Sequence, residues 1–364
     1  MTRLERLLLA AVAAVVALAG LAHYLHWAPV ARFALATVAL AGLAWIVALA
    51  AEQTGRHLGP AATGLLQATL GNLPEIFVVA FALHHGQELV LAQTAIVGSL
   101  LANALLVLGA VIVVGASRAP GGVMRFGRRL PNDTATLMLI TVFVIVLLGL
   151  LLASHAPAAR HARAISAVGA ACLLVVYLSW IVSYLRDDAR QRRASARGAH
   201  DGRGGGHQEP PARLPIALAL SLLAAAGVGS AFVAGWFVDA LLPALSTLHL
   251  SQAFAGLVIV ALAGNAVENA SAVAMAWRGR FELAIAVVKS SIAQVSAFVF
   301  PLLVLVSLAL PTTLTFGLPP VYVGALAVSA VAVWQVTGDG EAWPYEGLAL
   351  IAMYVVVAVV AAFQ

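Results

Sequence analysis

The sequence predicts an all-α integral membrane protein of eleven transmembrane helices, one extra N-terminal helix followed by two inverted five-helix repeats. Three observations predict it: an apolar composition that no water-soluble core would hide, a series of apolar stretches of membrane-crossing length, and one short motif written twice at a constant offset. No disulfide framework, thiolate metal site or strand alternation competes with this reading.

Of 364 residues, 62% are hydrophobic and 10% charged, and the mean hydropathy is +1.00. A soluble domain of this size buries far less. Apolar stretches fall at 5–25, 28–51, 61–84, 88–116, 134–153, 163–185, 213–238, 251–277, 283–309, 318–335 and 344–363. Each is close to the 17 to 25 residues, about 30 Å, that a spanning helix needs. The lone cysteine, Cys172, has no partner in the chain, which removes disulfides and thiolate metal sites from consideration.

A net charge of +5 does not imply nucleic acid, because the basic residues are spread over loops, where membrane topology explains them. With alternating crossings, all the arginines except Arg32, Arg160 and Arg163 fall on one side of the membrane. That bias predicts a cytoplasmic N-terminus and an external C-terminus, in a bacterial inner membrane. Arg3 and Arg6 before an apolar run ending in Ala17-Leu18-Ala19 also fit a cleaved signal peptide, whose removal would leave the other ten helices unchanged.

One linker divides the chain, Arg186 to Ala212, rich in Arg, Gly, Asp and His and without apolar periodicity. The resulting plan is an extra helix in 1–27, a first repeat in 28–185, the cytoplasmic linker 186–212 and a second repeat in 213–364. The repeat shows in the text of the sequence. Gly71-Asn72-Leu73-Pro74-Glu75 matches Gly264-Asn265-Ala266-Val267-Glu268 at an offset of 193. In each half the next helix carries a hydroxyl and an amide, Ser99 with Asn103 and Ser291 with Gln294. Because five crossings is an odd number, the two halves enter from opposite sides, and such inverted repeats place a transporter's site where they meet, near the midplane.

The chemistry follows from which residues are costly at that depth. A charged side chain at the centre of a spanning helix costs about 2.5 to 3.5 kcal/mol even on gentle scales. Of 15 acidic residues, only Glu75 and Glu268 lie deep within apolar stretches. Residues three apart share a helix face, so Asn72 with Glu75, and Asn265 with Glu268, each present an amide and a carboxylate to one spot. The preceding glycines permit unwinding, and Pro74 leaves the Leu70 carbonyl without its helical donor, free to face an ion. Hard oxygen ligands of this kind suit Ca2+, whereas zinc would ask for histidine or thiolate. His84 and His85 sit at the outer end of the third helix, a place for interfacial residues.

Two carboxylates facing one cavity resist double ionisation, through burial and mutual repulsion. Protons and a divalent cation therefore compete for one site, and coupled exchange follows from that competition. Lys289, the only lysine, points about 200° from Ser291 and about 140° from Gln294 at 100° per residue; it is expected to snorkel or pair elsewhere.

The paired Gly-Asn-x-x-Glu motifs resemble the two alpha repeats of the calcium/cation antiporter superfamily, in particular its calcium/proton exchanger branch. The resemblance spans the second to eleventh helices and is most specific in GNLPEIFVVAFAL with GSLLANALLVLG, and in GNAVENASAV with SSIAQVSAFVFPLL. It implies Ca2+ held by Glu75 and Glu268, with support from Asn72, Asn265, Ser99, Asn103, Ser291, Gln294 and nearby carbonyls, among them those of Leu70, Gly71, Ala263 and Gly264. It also implies a peripheral helix pair that slides or rocks across the core. Two positions depart from the family pattern: Asn269 stands where a His usually follows the second Glu, and Ser290 where a Gly precedes the hydroxyl. The expected partners are Ca2+, H+ and the bilayer, with no cofactor and no nucleic acid, and a homo-oligomer is compatible with these features. Alternative readings are an exchanger coupled to Na+ or carrying Mn2+ or Mg2+, a cation channel, and a membrane enzyme; the last two leave the inverted repeat unexplained.

Overall fold

The computed structural model describes residues 3–58, 72–84, 89–199 and 214–364. Its helices are α1 (Arg3–Tyr24), α2 (Pro29–Leu58) and α3 (Leu73–His84), then α4 (Leu89–Arg118) and α5 (Arg129–Ala153). After these come α6 (Ala162–Ala199) and α7 (Ile216–Leu248), α8 (Gln252–Gly264), α9 (Ala266–Trp277) and α10 (Phe281–Ser307), α11 (Pro320–Thr337) and α12 (Pro344–Ala362). Every predicted stretch overlaps one of these helices, the eighth the pair α8 and α9; α2 runs on to Leu58, past the predicted end at 51.

Three further boundaries differ from the sequence reading. Helix α6 continues through 185 to Ala199, well into the segment read as linker, because Ala and Arg favour helix even without an apolar face; residues 200–213 lie outside the described residues. Helix α7 runs on to Leu248 and carries Pro243 inside it, so Asp239 sits within a helix, on an exposed surface, and not past its end. Residues 61–71, the first half of the third predicted stretch, are not among those described.

Two helices are inner and the rest wrap them. In α4, 83% of the most apolar window is buried, and in α10 67%, against at most 44% in the other unbroken spans. The inner helices are also pressed closely: a Cβ on Gly98 of α4 would stand 2.5 Å from the Leu257 backbone of α8, so only glycine permits that approach. Helices α2 and α7 pack along one another outside this core, and both touch α3 or the α8–α9 pair.

Loop contacts test the alternation of crossings. The predicted topology puts the connections after α2, α4, α6, α9 and α11 on one face. There the two-residue strands β1 (Met124–Arg125) and β2 (Glu341–Ala342) form an antiparallel ribbon, the amide of Gly127 donates to Glu282 Oε2 at 2.7 Å, and His57 Nε2 lies 2.6 Å from the Leu214 carbonyl. On the other face Arg163 donates to the Leu308 carbonyl at 3.0 Å and Ser251 to that of Ala361 at 2.6 Å. Each bond joins segments assigned to the same side.

Candidate ion site between the repeats

Helices α3 and α9 are copies in register. Each has 12 residues, and each end of one lies 193 positions from the corresponding end of the other (266 − 73 and 277 − 84). Asn72 and Asn265 stand immediately before them, and Glu75 and Glu268 are the third helical residues. Asn265 has φ −106° and ψ 10°, outside helical values, and the chain bends by 63° between α8 and α9. Val267 occupies the place of Pro74, so the break in the second half needs no proline. The Gly-Asn pair is what the two halves share.

This local geometry fits ions of both signs. A carboxylate in the first turn of a helix faces the positive end of its dipole, while the last carbonyls of a helix carry partial negative charge. Glu75 and Glu268 occupy first turns, and α8 ends at Ala263 and Gly264. Those two residues line a small enclosed cavity with Glu75, Pro74 and Val78, closed by Leu40 of α2 and Phe237 of α7. Its volume of about 10 Å³ is about that needed for one water. Leu70 and Gly71, predicted to add carbonyls, lie outside the described residues, as does His85.

The polar side chains pair across the repeats. Asn72 Nδ2 donates to Gln294 Oε1 at 3.3 Å, Asn265 Nδ2 to Ser99 Oγ at 3.3 Å, and Asn103 Nδ2 to Ser291 Oγ at 2.9 Å. Each joins one half to the other. Asn265 Nδ2 also reaches the Ala261 carbonyl at 3.1 Å. Ser99 and Asn265 face the Glu75 carboxyl, Ser291 faces that of Glu268, and the two carboxyls are within electrostatic reach. Thus all eight predicted side chains come together.

Within this assembly Glu75 is 2% exposed, and neither of its carboxyl oxygens has a hydrogen-bond partner among the described residues; Ser99 and Asn265 are its polar neighbours. A buried acceptor left unsatisfied costs about 1 to 3 kcal/mol, more when charged, so native structures retain such a group where it has another partner to meet. Among the described residues no group of three or more His, Cys, Asp and Glu side chains forms a metal cluster. The site is two carboxylates completed by amides, hydroxyls and carbonyls.

A sodium/calcium exchanger family model matches residues 28–185 and 218–363. The chain belongs to that family. Among its relatives, a Ca2+/H+ antiporter from Synechocystis sp. is 29% identical, with 91% of each chain covered, and vacuolar cation/proton exchanger 1a of Oryza sativa subsp. japonica is 28% identical over 89% of this chain and 73% of its own. Of solved structures, native YfkE superposes with a TM-score of 0.78 at 24% identity, covering 98% of this chain and all of that one. The H+/Ca2+ exchanger CAX gives 0.73 at 15%, covering 99% and 91%. These two show the shared fold of exchanger-family members.

Several features of this family member escaped the sequence. Lys289 does not snorkel: it is fully buried and its Nζ donates to Thr337 Oγ1 at 3.1 Å, at the last turn of α11, where carbonyls favour a cation. It does pair away from the site, as its helical angle predicts. Leu40 and Phe237 gave no signal, being apolar residues in apolar helices. The inner helices also widen into π-helical turns beside the site, at Ala102–Val107 and Val295–Val299, which begin 193 residues apart (295 − 102). Such turns cluster at functional positions; here they contain Asn103 or directly follow Gln294.

Proposed function

We propose that this protein exchanges Ca2+ for H+ across a bacterial inner membrane, with Glu75 and Glu268 binding the cation or protons in turn. The observation that carries the proposal is the pair of buried carboxyl oxygens of Glu75, without a hydrogen-bond partner among the described residues, set beside a second glutamate from the other repeat. Ca2+ takes oxygen ligands from carboxylates, amides and carbonyls. Glu75 and Glu268 supply the charge, and the carbonyls of Ala263 and Gly264, with those of Leu70 and Gly71, complete the shell. Asn72, Asn265, Ser99, Asn103, Ser291 and Gln294 hold the carboxylates and bind each repeat to the other.

Exchange then follows from competition. An arriving Ca2+ displaces the protons, and protons arriving from the opposite side displace Ca2+. The apolar lining by Leu40 of α2 and Phe237 of α7 supports a gate formed by this helix pair outside the core. The relatives' names support the substrates, and the excess of arginine supports a cytoplasmic N-terminus. The chain divides into an extra helix (1–27), two repeats (28–185 and 213–364) and the connection between them.

Proteoliposomes holding the purified protein test the proposal. A pH gradient should drive Ca2+ flux in the wild type and not in Glu75→Gln or Glu268→Gln. Flux driven by a Na+ gradient alone would replace the coupling ion; no Ca2+ flux under either gradient would remove the substrate.

A further inference from the structure

An apolar groove of about 690 Å³ lies between α4 and the α8–α9 pair, away from the enclosed cavity at Glu75. Its walls include Leu106, Ala110 and Val114 of α4 and Ala270, Val273 and Ala274 of α9. At one end stand Trp277 and Arg278, and the Arg118 guanidinium lies 3.4 Å over the Trp277 ring. Both arginines and the tryptophan are exposed. At the other end the lining reaches Asn269, the residue after Glu268.

We infer that this groove holds one anionic phospholipid of the leaflet on the arginine-rich face. From Leu106 to Arg118 the helix rises about 18 Å, close to one leaflet of a hydrocarbon core about 30 Å thick. An acyl chain fits the apolar walls, and the phosphate reaches the level of Trp277, the residue type that marks the headgroup region. Stacking on the ring holds the Arg118 plane and leaves its edge N–H groups for phosphate oxygens. Arg278 adds a second cation beside it. The apolar walls alone select nothing, since hydrocarbon covers them in any bilayer; the two arginines supply the preference. They favour an anionic over a zwitterionic headgroup by about 25-fold.

The test is native mass spectrometry of the full-length protein released from vesicles of equal phosphatidylglycerol and phosphatidylcholine. The wild type should retain phosphatidylglycerol preferentially. Arg118→Gln combined with Arg278→Gln should bring the ratio close to one, and Ala274→Trp, which fills the groove from an exposed position, should reduce the number of lipids retained. Equal retention of both lipids by the wild type overturns the inference, as does a preference unchanged in the double variant or a lipid count unchanged in Ala274→Trp. Lipid retention is read without ion flux, so the result is separate from the fate of the exchange reading.

Discussion

Glu75 and Glu268 occupy the same register of two copied helices, yet their surroundings differ. Glu75 is 2% exposed, with no hydrogen-bond partner for either oxygen among the described residues; Glu268 is partly buried. The first motif carries Pro74, the second Val267. Among the described residues, the Asn265 side chain makes two bonds where that of Asn72 makes one. Repeated sequence thus supplies two carboxylates of unequal standing, one lining the small cavity beside Leu40 of α2 and Phe237 of α7 and one with somewhat more exposed surface. The inequality gives the pair a more tightly enclosed member and a less tightly enclosed one.

Substitutions at the carboxylates should have the largest effect. Both Gln variants should reduce proton-driven Ca2+ flux to background, since each removes one of the two charges. The Asp variants sharpen the comparison: shortening Glu75 withdraws its carboxyl from the tightly lined cavity beside Gly264, whereas the less enclosed Glu268 has more room to readjust. Initial rates should fall at least about 10-fold further in Glu75→Asp than in Glu268→Asp, on the scale by which small misplacements reduce activity. Equal losses would break the asymmetry.

Next in size is the pH dependence. On the proposed exchange, protons and Ca2+ compete for the same carboxylates, so acidification on the cation side should weaken Ca2+ binding, by up to about 100-fold per pH unit if two protons are displaced and about 10-fold if one is. Isothermal titration across pH in the wild type and in Glu268→Gln separates the two cases. The slope should drop by one in the variant.

The amides come third. Asn265→Ala removes two bonds and Asn72→Ala one, at about 1 kcal/mol for each net bond, so thermal unfolding should show Asn265→Ala the less stable by about that amount. The smallest change is expected from Pro74→Val. The second half breaks its helix with Val267 in the equivalent place, and a proline in the first turn forfeits no helical bond, so stability should move by less than about 1 kcal/mol and flux should persist. Loss of flux there would assign the first break to the proline.

The sequence made the parts of this site legible that cost energy in a membrane. A carboxylate at depth stands out against apolar neighbours, and its recurrence after Gly-Asn at a fixed offset identified the repeat. The helix count was legible for the same reason, since apolar length is set by bilayer thickness. Partner choice was not: Asn72 meets Gln294 and Asn103 meets Ser291 because of how one half docks on the other, and no local pattern encodes that. The cavity-lining residues Leu40 and Phe237 are apolar among apolar residues. The extension of α6 to Ala199 was hidden because its Arg-rich composition lacks the periodicity from which helices are read.

The bonds between repeats also set an order of events during synthesis. Asn72 and its partner Gln294 are separated by 222 residues, and a ribosome adding roughly 5 to 20 residues per second takes about 11 to 44 seconds to cover that distance. Until the second half is made, Glu75 has the first-half residues Leu40, Val78 and Ser99 around it but not Phe237, Ala263, Gly264 or Asn265. A nascent chain stalled before residue 237 should therefore carry this acid with its surroundings incomplete. The same docking that brings the two motifs together is then the step that finishes enclosing Glu75.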